Sequence, residues 1–488
     1  MNESNLVAKV WDYANILRDS GVSYTDYVSQ LSYLLFLKME SEISEVGAKS
    51  LIPSEFSWQK LKKLDGLELE KAYSTALSEL SKADGIIGTI YKKAQNKITE
   101  PAKLKKLVSL VDGQTWMGLS VDVKGAIYEG LLAKNATETK AGAGQYFTPR
   151  VLCESIVSLM RPSPQMSVCD PACGTGGFLL AAYAFMKTQS KDKEVLKALR
   201  SEKLCGKDIT PLVVSLCAMN LFLHGLGVEI DDKKGENNVL VQEGDSLLEL
   251  GNRRFDMVLT NPPFGKKSST KITSETGETK SEKSTYSRED FIASTSNKQL
   301  NFLQHIMSLL KIGGRAAVVL PDNVLFEGGA GEKIRKRLLS EFNVHTILRL
   351  PTGIFYAQGV KANVLFFDKF APLAKGFRTS KVWVYDLRTN IELSLVNNPL
   401  SREHLRDFEE CFCAEDFSKR KEKERFKSFT IDEILQRDKI NLDIFWLKNE
   451  NLEVIEDLAS PSEIAILIKT NLHKIAREIE SLETSKMA

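Results

Sequence analysis

The 488-residue sequence contains no apolar run of the roughly 18–20 residues that a helix needs to cross a bilayer. Its first residues, MNESNLVAKVWDYANI, lack the basic stretch and apolar core of a signal peptide. Hydrophobic residues make up 43% of the chain and charged residues 27%, which is typical of a globular protein rather than a disordered one. We therefore expect a cytoplasmic protein, and the length favours two or three domains.

Cysteine and histidine are also sparse. The seven cysteines are odd in number and spread over a long chain, so a disulfide framework is not expected. Cys411 and Cys413 form an isolated C-x-C pair, and the five histidines show neither H-x-x-H nor H-E-x-x-H spacing. The sequence therefore predicts no metal site.

A strong excess of positive charge is missing too. The net charge is +2 and the sequence pI is about 8.0, whereas nucleic-acid-binding domains often have a pI above about 9. If the protein binds DNA, it does so through a local basic surface or with the help of a partner.

Residues 1 to about 130 predict a mostly helical domain. Apolar residues recur there at helical spacing, and glycine and proline are rare. The first such residues are Leu6, Val10, Tyr13, Ile16 and Leu17. Because we find no chemical motif in this part, we interpret it as a packing or docking domain.

Residues 131–395 show a different pattern, in which short apolar runs alternate with helical stretches. The runs are 166–169, 203–207, 255–260, 315–320, 345–350 and 362–367. Strands separated by helices predict an α/β domain with a parallel, doubly wound sheet, whose ligands bind beyond the carboxyl ends of the strands. Three of the runs are followed at once by a polar residue: Asp170, Asp208 and Asn261.

Residues 265–290 interrupt the α/β pattern. They contain only Ile272 and Tyr286 as sizeable apolar side chains, too few to offset the entropy of ordering the segment. A long stretch without secondary structure is usually functional or disordered. We favour a mobile loop that faces the substrate, because the segment directly follows the tetrapeptide at 261–264; a plain surface insertion is the alternative.

The C-terminal region, residues 396–488, is more polar and ends in a predicted helix over 460–484. Ser460 and Glu463 form a capping-box pattern, with Pro461 at the first helical position. An apolar stripe follows in steps of three and four residues, which suits a helix-pairing seam. We favour docking of a partner on this helix over packing on its own domain.

A glycine-rich turn, DPACGTGGF at residues 170–178, links a predicted strand to a predicted helix. Its spacing is neither G-x-G-x-x-G nor a P-loop, which would also need a lysine. Gly174, Thr175, Gly176 and Gly177 let the backbone and the helix N-terminus face a carboxylate, while Asp170 can take an ammonium group. The methionine part of S-adenosylmethionine carries both groups; a purely structural glycine turn is the alternative.

Two further acidic residues follow neighbouring strands. Asp208 ends its strand, and a carboxylate at that point normally accepts hydrogen bonds from ribose hydroxyls. Asp245 lies in the loop after the probable third strand, where it could meet the adenine ring of the cofactor. A solvated aspartate at the end of a strand is the alternative interpretation of Asp208.

The tetrapeptide Asn261-Pro262-Pro263-Phe264 predicts the reaction. An exocyclic amine on a purine is a poor nucleophile, because its lone pair is delocalised into the ring. The Asn261 side-chain oxygen and the Pro262 carbonyl can accept hydrogen bonds from the two N–H groups of this amine, while the consecutive prolines hold the backbone of the tetrapeptide rigid. Phe264 offers a face on which a flipped base can stack. A simple Asn-Pro turn is the alternative.

Together these segments resemble the amino-methyltransferase superfamily, in the subgroup whose cofactor motif precedes NPP[FYW]. They are most similar to the modification (M) subunits of type I restriction-modification systems, which are N6-adenine DNA methyltransferases. The resemblance covers residues from about 125 to 450 and, weakly, the helical N-terminus. Further segments that carry it are QYFTPR at 145–150, NLFLHG at 220–225, LPTGIF at 350–355, NVLFF at 363–367 and DKINLDIFW at 438–446.

The resemblance implies a Rossmann-like, S-adenosylmethionine-dependent domain that methylates the N6 amino group of adenine in DNA and protects host DNA from restriction. It implies that Thr175, Gly176 and Gly177 lie at the methionine part, and that an acidic residue lies at the ribose. Many members have Glu where this chain has Asp208, which keeps the charge on a shorter side chain. The residues implied to border the cofactor upstream are Gln145, Tyr146, Phe147, Thr148, Pro149 and Arg150, with Phe147 and Thr148 nearest.

The resemblance also implies partners. A separate specificity (S) subunit would choose the sequence in double-stranded DNA, in a complex with a second M subunit and a restriction (R) subunit, and the 460–484 helix would be a docking element. We find no nuclease motif and no helicase P-loop, so cleavage would come from another chain. Two alternatives stay open: another NPP[FYW] enzyme acting on RNA or protein glutamine, and a cofactor-binding scaffold that has lost activity.

Overall fold

The computed structural model describes residues 9–10, 12–13, 16, 24–47, 49–116, 148–227, 239–264, 269–273, 279–283, 285–286, 288–355, 359–395 and 397–448. Residues 269–273 and 279–283 are described by their backbone alone. Three sequence predictions lie outside the described residues. They concern Gln145, Tyr146 and Phe147, the domain boundary near residue 130, and the helix over 460–484.

The N-terminal part of the chain is helical, as the sequence predicts. Its helices are α1 (Tyr24–Glu45), α2 (Trp58–Leu61), α3 (Gly66–Leu80), α4 (Gly85–Tyr91) and α5 (Pro101–Asp112), with a 3-10 turn at Ser54–Phe56. Helix α3 shows the local cause, because its buried residues Leu69, Tyr73, Leu77 and Leu80 recur every three or four positions. Within the described residues, no helix has both the length and the apolar character to cross a membrane.

These helices pack directly against helix α9 (Pro211–Leu223). Every residue of α9 from Val213 to Leu223 is buried, which is typical of a core helix that is apolar on all sides. The ring of Phe36 in α1 meets the ring of Phe222 in α9 edge-on, with centroids 5.2 Å apart. The N-terminal helices and the α/β part therefore share one continuous apolar core.

The centre of the molecule is a nine-stranded sheet. Its strands are β1 (Val168–Asp170), β2 (Leu204–Asp208), β3 (Val241–Glu243), β4 (Phe255–Thr260), β7 (Leu310–Pro321), β8 (Phe342–Arg349), β9 (Ala362–Lys369), β10 (Lys381–Asp386) and β11 (Phe426–Thr430), and a separate hairpin holds β5 (Ser269–Thr273) and β6 (Thr279–Lys283). The order across the sheet is β11-β10-β8-β9-β7-β4-β1-β2-β3. The six apolar runs singled out in the sequence all fall on strands.

The predicted parallel pairing fails at two strands of the sheet. β9 runs antiparallel between β7 and β8, and β11 runs antiparallel to β10. The first six residues of β9 are all buried, so the strand has the continuous apolar composition of a central parallel strand. Burial on both faces dictates that composition whichever way the strand runs, and the sequence pattern therefore does not reveal the reversal.

Helices cover both faces of the sheet, as the doubly wound prediction requires. One face carries α6 (Arg150–Met160), α7 (Gly177–Lys187), α8 (Lys193–Ser201), α9 and α13 (Arg402–Phe412); the other carries α10 (Lys298–Leu309), α11 (Asn323–Phe326), α12 (Ala330–Glu341) and α14 (Ile431–Gln436). Strand β1 shows how alternation divides the two cores. Val168 belongs to the first core and Cys169 to the second, because successive side chains point to opposite faces.

The expectation that residues 265–290 lack secondary structure is also wrong. Their backbone forms the antiparallel hairpin β5–β6, in a register from Ser269 opposite Lys283 to Thr273 opposite Thr279. Such pairing satisfies backbone N–H and C=O groups without burying apolar side chains, and threonine favours extended backbone. Composition alone therefore understates the local order. The mobility of this segment and its contact with substrate stay predictions.

Candidate active site

The polar residues predicted from the sequence meet at one edge of the sheet. β4, β1, β2 and β3 are neighbours in that order and all run parallel. Their carboxyl ends lead into Asn261, Asp170, Asp208 and Asp245 respectively. Four separate segments therefore bring their functional side chains to one crevice, where ligands of open α/β sheets bind.

The glycine-rich turn lies between β1 and α7 and has the backbone that its sequence suggests. Gly174 and Gly176 have φ angles of +52° and +88°, a region that disfavours residues with a Cβ. A Cβ on Gly176 would also lie 2.9 Å from the Cys217 sulfur in α9. The Asn220 side-chain amide in α9 donates to the Thr175 carbonyl at 3.0 Å. The turn is therefore held close against α9.

Asp208 ties this turn to β2. Its carboxylate accepts the Gly174 N–H at 3.2 Å and the Thr210 N–H at 2.9 Å. Burial raises the pKa of Asp208 in spite of these hydrogen bonds. The predicted ribose acceptor thus also positions the loop that would face the methionine part.

Asp170 is the most deeply buried acidic group of the site. Its side chain is 2% exposed, and Oδ1 accepts the Ala172 N–H at 3.1 Å. Burial raises the pKa of Asp170 to about 7, and the neighbouring charge of Asp208 adds to the increase. A buried carboxyl group of this kind gains from a cation, so its environment suits a ligand that carries an ammonium group.

Asn261 follows β4 and is oriented by Thr148. The Asn261 Nδ2 donates to the Thr148 hydroxyl oxygen at 2.9 Å. Its other amide atom, Oδ1, is buried and accepts no hydrogen bond from the described residues. A buried acceptor without a partner costs about 1–3 kcal/mol, so this oxygen is poised for an N–H donor supplied by a ligand.

The rest of the tetrapeptide is anchored on two sides. Pro262 is buried, and the Pro263 carbonyl accepts a hydrogen bond from the Gln299 side chain in α10 at 3.1 Å. Phe264 is half-buried, and its ring meets the ring of Phe355 edge-on with centroids 5.5 Å apart. The backbone at Asn261 is therefore fixed from both the sheet and α10.

Two cavities lie on either side of Ala172. The larger holds about 260 Å³, and the smaller holds about 20 Å³. The larger is lined by Pro171, Ala172, Asp208, Ile209, Thr210, Gly244, Asp245, Ser246, Leu247, Pro263, Tyr286, Lys298 and Phe302. The smaller is lined by Thr148, Cys153, Asp170, Ala172, Cys173, Gly174, Thr175, Gly177, Phe178 and Asn261.

The larger cavity contains residues that the sequence analysis missed. Tyr286 donates its hydroxyl to Asp245 Oδ2 at 2.8 Å, and burial together with this hydrogen bond raises the pKa of Tyr286 to about 12. Phe302 and Ile209 add apolar walls, and Ile209 is 64% exposed although it directly follows Asp208. One signal was present in the sequence: Tyr286 is one of two sizeable apolar residues in an otherwise polar segment.

The remaining predicted residues, Pro149 and Arg150, line neither of these two cavities. Pro149 precedes α6 and Arg150 opens it. Arg150 lines a separate groove of about 370 Å³ between α6 and α7, together with Gly177. Within the described part of the chain, no group of three or more His, Cys, Asp or Glu side chains is placed to hold a metal ion.

Comparison with known proteins decides the family. The N-6 DNA Methylase family model matches residues 119–450, which is more than half of the chain. The chain belongs to the N-6 DNA methylase family. The HsdM N-terminal domain model matches residues 6–111, which include the N-terminal helices α1 to α4 and most of α5.

Individual relatives align with this N-6 DNA methylase over nearly its whole length. The methylase subunit of the type I restriction enzyme EcoKI from Escherichia coli K12 is 38% identical, over 99% of this chain and 95% of the relative. The crystal structure of the EcoKI M protein aligns with a TM-score of 0.54 at 33% identity, over 97% of this chain and 96% of that one. The type I methyltransferase subunit from Streptococcus thermophilus has a TM-score of 0.67 at 21% identity, over 91% of this chain and 99% of that chain, which supports the fold alone.

Proposed function

We propose that this protein transfers a methyl group from S-adenosylmethionine to the N6 amino group of adenine in duplex DNA, as the methyltransferase subunit of a type I restriction-modification complex. The single observation that carries this proposal is the Asn261 side chain. Thr148 accepts from Asn261 Nδ2, which leaves Oδ1 as a buried acceptor without a partner among the described residues. An amino group of a flipped base supplies the missing donor.

The chemistry of the acceptor follows from its rigidity. Asn261 Oδ1 and the Pro262 carbonyl accept hydrogen bonds from the two N–H groups of the amino group. The nitrogen lone pair is then less delocalised into the ring and can act as a nucleophile. Because Pro263 is anchored to Gln299, these oxygens need little reorganisation during the reaction. Phe264, braced by Phe355, supplies the apolar face against which the base stacks.

The residues around the two cavities fit S-adenosylmethionine, which supplies an electrophilic methyl group when it is bound. Asp170 accepts the ammonium group, and the raised pKa of this buried carboxyl supports the assignment, because a neighbouring cation favours the charged form. The Gly174–Gly177 turn faces the carboxylate. Asp208 and Asp245 lie along the larger cavity for the ribose and adenine, with Ile209 and Phe302 as apolar walls.

The methionine end has a specific requirement. The smaller cavity, about 20 Å³, holds about one water molecule, which is less than a methionine chain needs. Thr148 and Asn261 form one wall of that cavity. Cofactor binding therefore has to widen this cavity.

The segment after the tetrapeptide begins and ends beside proposed binding residues. It starts from Phe264 beside the base-binding residues and returns at Tyr286, which lines the larger cavity. Arg288 fixes the return by donating to both carboxylate oxygens of Asp290, at 2.9 and 2.7 Å. We propose that the hairpin between these two anchors contacts the DNA around the flipped adenine.

Sequence specificity would come from other chains. A specificity subunit would select the target, a second M subunit would complete the methyltransferase, and a restriction subunit would join it for cleavage. The modest net charge of +2 is consistent with shared binding of DNA. The domain division at 1–130, 131–395 and 396–488, with partner docking on the 460–484 helix, is part of the same proposal.

The test is a methylation assay with the chain co-purified with the specificity subunit encoded beside it. Labelled S-adenosylmethionine, unmodified duplex DNA, RNA and protein are offered in parallel, and the product is identified by mass spectrometry of digested nucleosides and peptides. N6-methyladenine in the duplex is the expected product. Methylated glutamine or RNA would assign the chain to the alternative enzyme classes, and cofactor binding without any product would leave a scaffold.

A further inference from the structure

A further cavity, of about 400 Å³, lies on the opposite face of β1 and β2 from the glycine-rich turn. It shares Pro171 and Ser246 with the larger cavity of the proposed cofactor site, but the proposed reaction uses none of its other groups. Its distinctive contents are two thiols, Cys169 and Cys205, and two cations, Lys207 and Arg253.

The two thiols face each other across neighbouring strands. Cys169 in β1 is paired in register with Cys205 in β2, so their side chains point to the same face of the sheet. Neighbouring strands are about 4.7–4.9 Å apart, which lies within the Cα separation of about 4.4–6.8 Å found in disulfides. Neither cysteine belongs to a disulfide.

The surroundings make one of these thiols more acidic than the other. A hydrogen bond from the Cys169 thiol lowers the pKa of Cys205, and the charges of Arg253 and Lys207 lower it further against the effect of burial. Burial raises the pKa of Cys169. Glu249 is the acidic residue of the cavity lining, whereas buried His305 has a pKa lowered to about 3 and is neutral.

The two thiols also differ in their exposure to solvent. Cys169 is 4% exposed, whereas Cys205 is partly exposed and opens onto the cavity. Reactive cysteines typically occupy electropositive, partly exposed environments of this kind, because the thiolate is the nucleophile. A second close pair, Cys173 and Cys217, is buried at 4% and 0% exposure and so lacks a route for a reagent.

We propose that Cys205 and Cys169 form a hydroperoxide-reactive thiol pair that oxidises to a disulfide between β1 and β2. The Cys205 thiolate attacks one peroxide oxygen, the O–O bond breaks, and the departing hydroxide takes a proton to form water. The resulting sulfenic acid is attacked by the Cys169 sulfur. The S–O bond breaks and hydroxide leaves with the Cys169 proton as a second water, so two thiols lose two electrons and hydrogen peroxide gains them.

Oxidation at this pair would act on the edge that carries the proposed active site. Cys169 directly precedes Asp170, and Cys205 lies three residues before Asp208. A bond between the two strands fixes their spacing just before both carboxylates. This consequence rests on the proposed function, whereas the thiol chemistry does not.

Peptide mapping of the full-length protein tests the chemistry without any variant. The reduced protein is treated with limiting hydrogen peroxide, remaining thiols are alkylated, and peptides are separated without reductant. We expect a Cys169–Cys205 linked peptide that forms at least about tenfold faster than oxidation of Cys413, and that disappears with dithiothreitol. Cys413 is a matched internal control because it is also partly exposed but has its sulfur against the Glu410 carbonyl at 3.3 Å.

Three results would overturn the proposal: no linked peptide, a linkage of Cys173 to Cys217 instead, or oxidation of Cys413 at an equal rate. Variants identify the attacking sulfur. Cys169→Ser is expected to retain a sulfenic acid at Cys205 that dimedone traps, and Cys205→Ser to lose dimedone labelling at this cavity. The reverse pattern, with trapping at Cys169, would contradict the assigned roles, while Cys413→Ser controls for the substitution itself.

Discussion

Two buried aspartates end parallel strands at the same edge of the sheet, yet their surroundings are opposite. Asp386 at the end of β10 is 0% exposed and Asp170 at the end of β1 is 2% exposed. Asp386 accepts from the Arg349 guanidinium at 2.7 Å, the Thr389 hydroxyl at 2.9 Å, and two backbone N–H groups at 2.8 Å each. Asp170 instead has the like charge of Asp208 nearby.

The acidities follow from these surroundings. Burial alone would raise the pKa of Asp386, but the Thr389 N–H and the Arg349 guanidinium outweigh burial and hold the pKa below its ordinary value. Burial of Asp170 is not offset in this way, and its pKa rises to about 7. A buried carboxylate that is paired with a cation of the protein itself has a structural role. A buried carboxyl group without such a cation is suited to bind a cationic ligand.

The same contrast separates two halves of this edge of the sheet. In the matched half, around Asp386, Arg388 likewise donates to both Asp322 oxygens at 2.8 and 2.9 Å. In the binding half, around β4 and β1, Asn261 Oδ1 accepts no hydrogen bond from the described residues, and burial and the charge of Asp208 raise the pKa of Asp170.

The largest expected effect lies in the matched half. Asp386→Ala leaves the Arg349 guanidinium, whose side chain is 8% exposed, without this charge partner. Breaking a buried pair in this way costs about 3–5 kcal/mol, measured as the free energy of unfolding in urea. Asp438→Ala is the control, since that carboxylate is 83% exposed and is expected to change stability little. Equal losses in both variants would refute the comparison.

Next comes Asn261→Ala in the binding half. We expect kcat to fall by about 10²–10³-fold, because an oriented acceptor of the transition state is lost, while the cofactor Kd stays near that of the unmodified protein. The matched control is Asn363→Ala, because Asn363 is also a buried amide and donates to Asp322 at 2.8 Å. It is expected to lower stability and spare kcat. A normal kcat in Asn261→Ala would remove that residue from the reaction.

A pH series sharpens the role of Asp170. The pKa of Asp170 is about 7 in the folded protein and 3.8 for the ordinary group. Ionisation of this carboxyl therefore lowers the folding stability of the cofactor-free protein progressively from about pH 4 to about pH 7, and the loss is complete above that pH. Asp170→Asn is therefore expected to raise Tm above pH 7 and to leave it unchanged below pH 4.

Cofactor binding is expected to respond with the opposite sign. The ammonium group needs the ionised carboxylate, so affinity falls by up to about tenfold per pH unit as the pH drops below 7. Calorimetric titration of S-adenosylmethionine on both sides of that pH measures the dependence. If Asp170→Asn binds the cofactor with the same pH profile as the unmodified protein, the ammonium assignment is wrong.

The smallest effect concerns Tyr286. Tyr286→Phe keeps the ring in the cavity and removes one hydrogen bond to Asp245, worth about 1 kcal/mol, so the cofactor KM is expected to rise about fivefold with little change in kcat. Tyr385→Phe is the matched control, since its hydroxyl donates to Asp407 at the same 2.8 Å but away from the cavities. A KM increase of equal size in both variants would count against a local role.

Sequence patterns predicted the strand ends well, for a physical reason. Buried parallel strands are short apolar runs, and the first polar residue after each run marks the ligand edge, as at Asp170, Asp208 and Asn261. The glycine turn could be predicted because Gly174 and Gly176 need positive φ angles. These features depend on neighbours in the chain, which the sequence displays directly.

Features that depend on distant partners were not predictable in this way. The apolar composition of β9 does not reveal the direction in which the strand runs. β10 and β11 pair with each other although they lie far apart in the sequence. The hydrogen bond between Tyr286 and Asp245 spans 41 residues, and no spacing rule encodes it. The different surroundings of Asp386 and Asp170 likewise cannot be predicted from the sequence, because both residues are simply an Asp at the end of an apolar strand.

The shared core between the N-terminal helices and α9 has a consequence for synthesis. A ribosome adds about 5–20 residues per second, so the roughly one hundred residues between α5 and the end of α9 take on the order of 5–20 seconds to appear. During that interval Phe36 has been synthesised, but the Phe222 ring that packs against it in the finished protein has not. A nascent chain stalled before Pro211 therefore displays the apolar surface that α9 covers in the finished protein.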